Sequence, residues 1–85
     1  MIMADNVNHP AHYNTGTIEV INYIKDKLNY DEFTGYLTGN IIKYISRYKH
    51  KNGIEDLQKA EWYLNYLINY IKKTLIKEKN DLINK

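Results

Sequence analysis

Residues 54–78 read IEDLQKAEWYLNYLINYIKKTLIKE, and within them Leu57, Ala60, Leu64, Leu67 and Ile71 recur at alternating spacings of three and four. That is the period of one face of an α-helix, and no Gly or Pro interrupts it. At 1.5 Å per residue the helix is about 35–40 Å long. A single domain of 85 residues buries only about 60–65 % of the surface its unfolded chain exposes, too little to cover a helix of that length. The remainder, with Leu75, Ile76, Leu82 and Ile83, either frays as a basic tail or packs on another subunit. The expectation is a homo-oligomer built partly on this helix.

Working back from Ile54, Asn52-Gly53 is a helix stop. Before it, Phe33, Leu37, Ile41, Tyr44, Ile45 and Tyr48 keep helical spacing, with Asp31 as a candidate N-cap. Gly35 and Gly39 lie inside that pattern, and each costs about 1 kcal/mol relative to Ala in a helix interior. The pattern therefore predicts a short helix over 31–37, a break or kink near Gly39 and a second helix over 40–50. Further back, Thr17 is a candidate N-cap for a helix reaching about residue 29, its apolar face made by Ile18, Ile21, Tyr23, Ile24 and Leu28. Residues 1–16 hold the only Pro and two of the three His without sustained period. The predicted architecture is all-α: an extended N-terminal arm over 1–16, one helical domain of three to four helices over 17–80 with a long C-terminal helix, and a tail over 81–85.

Composition limits the function classes. The net charge of +2 comes from 12 basic and 10 acidic side chains, too balanced for a general nucleic-acid coat. With only a short basic row and no helix-turn-helix signature, DNA is not the expected partner. The chain has no Cys, so neither disulfides nor thiolate metal sites supplement the core. The start, MIMADNVNHPAHY, lacks a signal-peptide pattern and no apolar run approaches the roughly 20 residues of a bilayer span. A cytoplasmic protein with no membrane partner is expected.

The chemistry-bearing residues cluster. On a helix at 100° per residue, Tyr36, Asn40, Lys43, Arg47 and Lys51 fall in one sector, and Tyr44 and Leu37 in the adjoining apolar one. A cationic row along the margin of a buried face can hold phosphate, Arg47 as a two-pronged donor and Lys43 and Lys51 as point charges, with Asn40 a neutral donor. The plainer alternative is a solvated margin whose Lys and Arg stems cover apolar neighbours. Lys59 and Tyr63 share a side of the long helix, and a tyrosine beside cations suits a nucleotide, which offers a base to stack and phosphates to pair. In the arm, Asn8, His9, His12 and Tyr13 form a polar group suited to closing over a ligand. His9 and His12 are spaced for a metal but lack a third ligand at recognisable spacing, so no metal site is predicted. A Gly-Lys-Ser/Thr phosphate loop and a helical carboxylate cluster for magnesium are both missing. Composition and spacing support an anion or nucleotide binder and stop short of an enzyme.

Taken together, NHPAHY, Gly16-Thr17-Ile18-Glu19 and FTGYLTGNIIKYISRYKHKNGIEDLQKAEWYL resemble the small bacteriophage proteins of a domain-of-unknown-function family grouped with phage nucleotide kinases. The resemblance spans about residues 8–67 and implies an infected host's cytosol as location and deoxynucleoside monophosphate phosphorylation without a Walker motif. The matching positions are Asn8, His9, His12, Tyr13, Glu19, Gly39, Asn40, Lys43, Tyr44, Arg47, Lys51, Asp56, Lys59 and Tyr63. In a kinase, Lys43 and Arg47 would hold the transferred phosphoryl group, His9 or His12 would be the catalytic proton shuttle or phosphoryl acceptor, and magnesium would accompany the nucleotide. A second possibility is a non-catalytic, oligomeric sponge that sequesters a cyclic or other nucleotide defence signal. A third is a helical inhibitor of a host protein.

Overall fold

The computed structural model describes residues 18–83. Three α-helices follow in chain order: α1 (Val20–Lys27), α2 (Tyr30–Arg47) and α3 (Ile54–Ile83), with a 3-10 turn at Tyr48–His50 joining α2 to α3. The described residues contain no strand, and the long C-terminal helix is present as expected. The arm residues Asn8, His9, His12 and Tyr13 and Thr17 lie outside the described residues, but α1 begins at Val20 with Glu19, not Thr17, in the N-cap position. Among the described residues no helix is long and apolar enough to cross a membrane.

The middle of the chain differs from its sequence pattern. α2 is one helix of 18 residues with no break at Gly39, and it is capped by Asn29 rather than Asp31. The Asn29 side chain accepts the Glu32 N–H at 2.9 Å, and the Glu32 carboxylate accepts the Asn29 N–H at 2.9 Å. This reciprocal box satisfies two backbone donors that a helix start leaves open. Asp31 falls instead in the first turn, where its charge meets the positive end of the helix dipole. The cap, together with burial of Phe33, Leu37 and Tyr44, outweighs the two glycine penalties, so the helix runs through.

Both glycines are exposed, and a Cβ placed on either meets nothing within 4 Å. Gly35→Ala and Gly39→Ala should therefore each raise stability by about 0.5–1 kcal/mol. The check is a higher urea midpoint at unchanged slope; a lower midpoint would contradict a regular helix there.

α2 and α3 form an antiparallel hairpin, since their partners run in opposite order. Arg47 meets Asp56, Tyr44 and Tyr36 meet Tyr63, and Phe33 meets Tyr66 and Tyr70. The expected stop at Asn52-Gly53 is where the chain reverses: Gly53 has φ 56°, a conformation costly to any residue with a Cβ, and its N–H donates to the Tyr48 carbonyl at 2.9 Å. The core is Phe33, Leu37, Tyr44, Ala60 and Tyr63, with Ile21, Ile24 and Leu28 packed against it from the α1 side. α3, at 30 residues against 18 for α2, outruns its partner by about 18 Å at 1.5 Å per residue. It continues through Ile83, into the stretch that sequence alone sets apart as a tail.

Candidate anion-binding site

The site grows from the hairpin end. Asp56, in the first turn of α3, is fully buried. Arg47, the last residue of α2, donates from Nε and Nη2 to Asp56 Oδ1 at 3.3 and 3.2 Å. Asn52 adds its backbone N–H to Oδ2 at 3.1 Å and its side-chain amide to Oδ1 at 3.4 Å. One carboxylate thus ties the end of α2, the turn and the start of α3 together. Burial pushes the Asp56 carboxyl up, but the Arg47 and Asn52 hydrogen bonds and the Arg47 charge outweigh it and hold the group below the ordinary carboxylate range.

A carboxyl lowered in the folded state stabilises fully above its unfolded pKa, and that stabilisation is lost as pH falls through the folded value. The fold should therefore lose stability on acidification below the ordinary carboxylate range. Denaturant midpoints across acid pH check this, and a variant with Asp56→Leu and Arg47→Met should lack that part of the loss.

Arg47 also places its guanidinium carbon 4.8 Å from the centroid of the Tyr44 ring. Lys43 Nζ lies 4.4 Å and Lys59 Nζ 5.6 Å from the same centroid. Three cations from two helices thus converge on one buried ring, which is itself stacked on Tyr63 at 6.0 Å between centroids. Lys59 is paired with Glu55 at 3.2 Å, and Arg47 with Asp56. Lys43 pairs with no carboxylate among the described residues.

Several expected positions are rearranged. Lys51 lies beyond α2, which ends at Arg47, and after the 3-10 turn, so helical spacing alone does not carry the row to it. Lys59, also expected at the site, reaches the Tyr44 ring beside Lys43 and Arg47 from α3. Asn40 turns its amide back onto the Tyr36 carbonyl at 3.0 Å, so one of its two donors is used within the helix. Tyr44 and Tyr63 are buried. The partly exposed rings on this side are Tyr36, 6.3 Å from Tyr63 edge to face, and Trp62, 5.0 Å from Tyr63. Sequence reasoning missed Trp62 and the clasp role of Asp56. The available signal was an Asp at the third position of a helix opened by Gly53, one helix turn beyond Asn52 and a hairpin away from Arg47.

A surface cavity of about 200 Å³ lies between Lys25 of α1 and Tyr66, Asn69, Tyr70 and Lys73 of α3. That volume is below the roughly 300–1,000 Å³ of small-molecule sites.

A family model described as a protein of unknown function (DUF3310) matches residues 7–65. Comparison with curated proteins and with solved structures found no match.

Proposed function

The chain belongs to the DUF3310 family, and from the cationic edge around Tyr44 we propose that it is a nucleotide-binding protein whose ligand's phosphates sit at Lys43, Lys59 and the Nη1 edge of Arg47. The observation that carries this reading is the convergence of three cations on one ring, with Lys43 pairing with no carboxylate among the described residues. Like charges gathered at a partly desolvated edge repel one another, and a bound dianion would reverse the sign of that interaction. Tyr36 and Trp62 supply ring surface beside the cations for a base, and Asn8, His9, His12 and Tyr13 would close over it.

The resemblance to small phage proteins grouped with nucleotide kinases supports a nucleotide rather than free phosphate and a phage origin. Two outcomes share this site. In one, the protein transfers a phosphoryl group, with magnesium on the nucleotide and His9 or His12 handling the proton. In the other, it holds a cyclic or other nucleotide signal and returns it unchanged. Sequestration needs no general base. In the same reading the chain acts as a homo-oligomer joined through α3.

Thermal unfolding against nucleoside mono-, di- and triphosphates and cyclic nucleotides, with and without magnesium, tests this. A ligand at 100 times its dissociation constant stabilises by about 2.7 kcal/mol, a rise of roughly 10 °C or more for a domain of this size. A shift with a cyclic species recovered intact after denaturation identifies a sponge. A shift with mononucleotides plus turnover of a phosphoryl donor, abolished by His9→Ala or His12→Ala, identifies a kinase. Absence of any shift across the panel removes the nucleotide site and leaves a protein-interaction module as the reading.

A further inference from the structure

The hairpin has a second side that the anion site does not use. Along α3, Leu57, Leu64, Ile68, Ile71, Leu75 and Leu82 recur at spacings of seven, three and four, the register of a coiled-coil seam. At 100° per residue they fall within one narrow stripe, about a quarter turn from the face that carries Tyr63 and Tyr70. The stripe is aliphatic and open: Leu64 is 45 %, Ile68 40 % and Leu75 58 % exposed. α2 extends it. In an antiparallel pair, residues rotated from the contact line in the same sense on each helix emerge on the same side. Ile41 and Ile45 of α2 are displaced in the sense that brings them out beside Leu57 and Leu64, and Ile45 is 49 % exposed. The cations and exposed rings are displaced in the opposite sense. The hairpin thus carries an aromatic, cationic side and an aliphatic side, the latter longer than a solitary domain of this size ordinarily leaves in water.

We infer that a second copy of this chain covers the aliphatic side, with the two α3 helices antiparallel. This rests on the self-association proposed above and supplies its face and direction; the anion site does not enter it. Charge selects both the occupant and the direction. The seam is interrupted by Glu61 and Glu78 and bordered by Lys72 and Lys79 on its solvent side. A parallel, in-register pair would set each Glu61 against its own copy and hold each Lys72 about 16 Å along the seam from the partner's Glu61. Antiparallel pairing about the level of Leu64 and Ile68 instead brings Glu61 beside the partner's Lys72, and opposite charges across such a seam set partner and orientation. It also lays the overhanging end of α3, with Leu75 and Leu82, along the Ile45 and Leu57 end of the second copy. Both copies use the same patch, as a two-fold interface requires.

Sedimentation equilibrium without ligand, followed by cysteine cross-linking, tests the inference. The mass should be twice 10.1 kDa, and Leu64→Glu or Ile68→Glu should return the monomer mass with helical circular dichroism retained, since both side chains are half-exposed. The chain has no Cys of its own, so single cysteines report direction. Copies carrying Leu57→Cys mixed with copies carrying Leu75→Cys should form a mixed disulfide, and neither variant alone should cross-link, its two thiols lying about 27 Å apart at 1.5 Å per residue. A monomer at millimolar concentration overturns self-association itself. A larger species that survives both Glu substitutions leaves self-association standing and overturns this face. A disulfide in Leu75→Cys alone overturns the antiparallel direction.

Discussion

Arg47→Ala should lower the unfolding free energy by about 3–5 kcal/mol, the cost of stranding a buried carboxylate. Asp56 is fully enclosed, and after the substitution Asn52 alone among the described residues would still donate to it. Its options are to stay charged with fewer partners or to take up a proton, and both weaken the closure of α2 on α3. For so short a chain, with total stability at the low end of about 5–15 kcal/mol, the variant should be largely unfolded at room temperature. Arg47→Lys should rescue only partly, because one ammonium cannot reproduce the Nε and Nη2 pair on Oδ1. The double change Arg47→Met with Asp56→Leu should recover most of the loss, as replacing both ions with apolar groups removes the stranded charge. A denaturant series on the four proteins decides the matter; Arg47→Ala within 0.5 kcal/mol of the parent by that series would mean that the clasp contributes little.

Phe33→Ala should be of similar size, about 3–5 kcal/mol. Phe33 is fully buried, and its ring meets Tyr70 edge-on at 4.9 Å, Tyr66 edge-on at 5.9 Å and Tyr36 in a stack at 6.0 Å. Such ring pairs contribute about 0.5–1.5 kcal/mol each beyond the area they bury. The substitution empties the open end of the α2–α3 contact, where the ring cluster cannot collapse onto Ala without moving both helices. Phe33→Leu should cost less than half as much, since most of the volume remains. Urea unfolding of the two variants measures the difference, and equal costs would mean that ring geometry, rather than volume, sets the loss.

Arg47 is committed to Asp56, so lost binding in Arg47→Ala reports the fold as much as the ligand. Lys43 is exposed and pairs with no carboxylate among the described residues, so its truncation tests binding without that confusion.

The all-α architecture was legible because hydrophobic period is a property of sequence alone, and the 54–78 stretch carries it without interruption. The continuity of α2 was not. Helix propensity counts Gly35 and Gly39 against the helix, whereas the compensation comes from tertiary burial of Phe33, Leu37 and Tyr44 and from the Asn29–Glu32 box, whose Asn-x-x-Glu signal stood beside the more conspicuous Asp31. Lys43 and Arg47 were legible as neighbours because they share a helix. Lys59 joins them only through the hairpin, and α2 ends before Lys51, and neither fact is local. The same applies to Asp56, whose partner lies across the reversal at Gly53.

The central claim is that Lys43 binds an anionic nucleotide at the Tyr44 edge. It is tested most directly by calorimetric titration of the parent and Lys43→Ala with whichever nucleotide most raises the unfolding temperature. The account predicts saturable binding to the parent and about tenfold or greater weakening in the variant, equivalent to 1.4 kcal/mol, at unchanged thermal stability without ligand. Equal affinity in the two proteins, or no binding to the parent by any nucleotide, would contradict it.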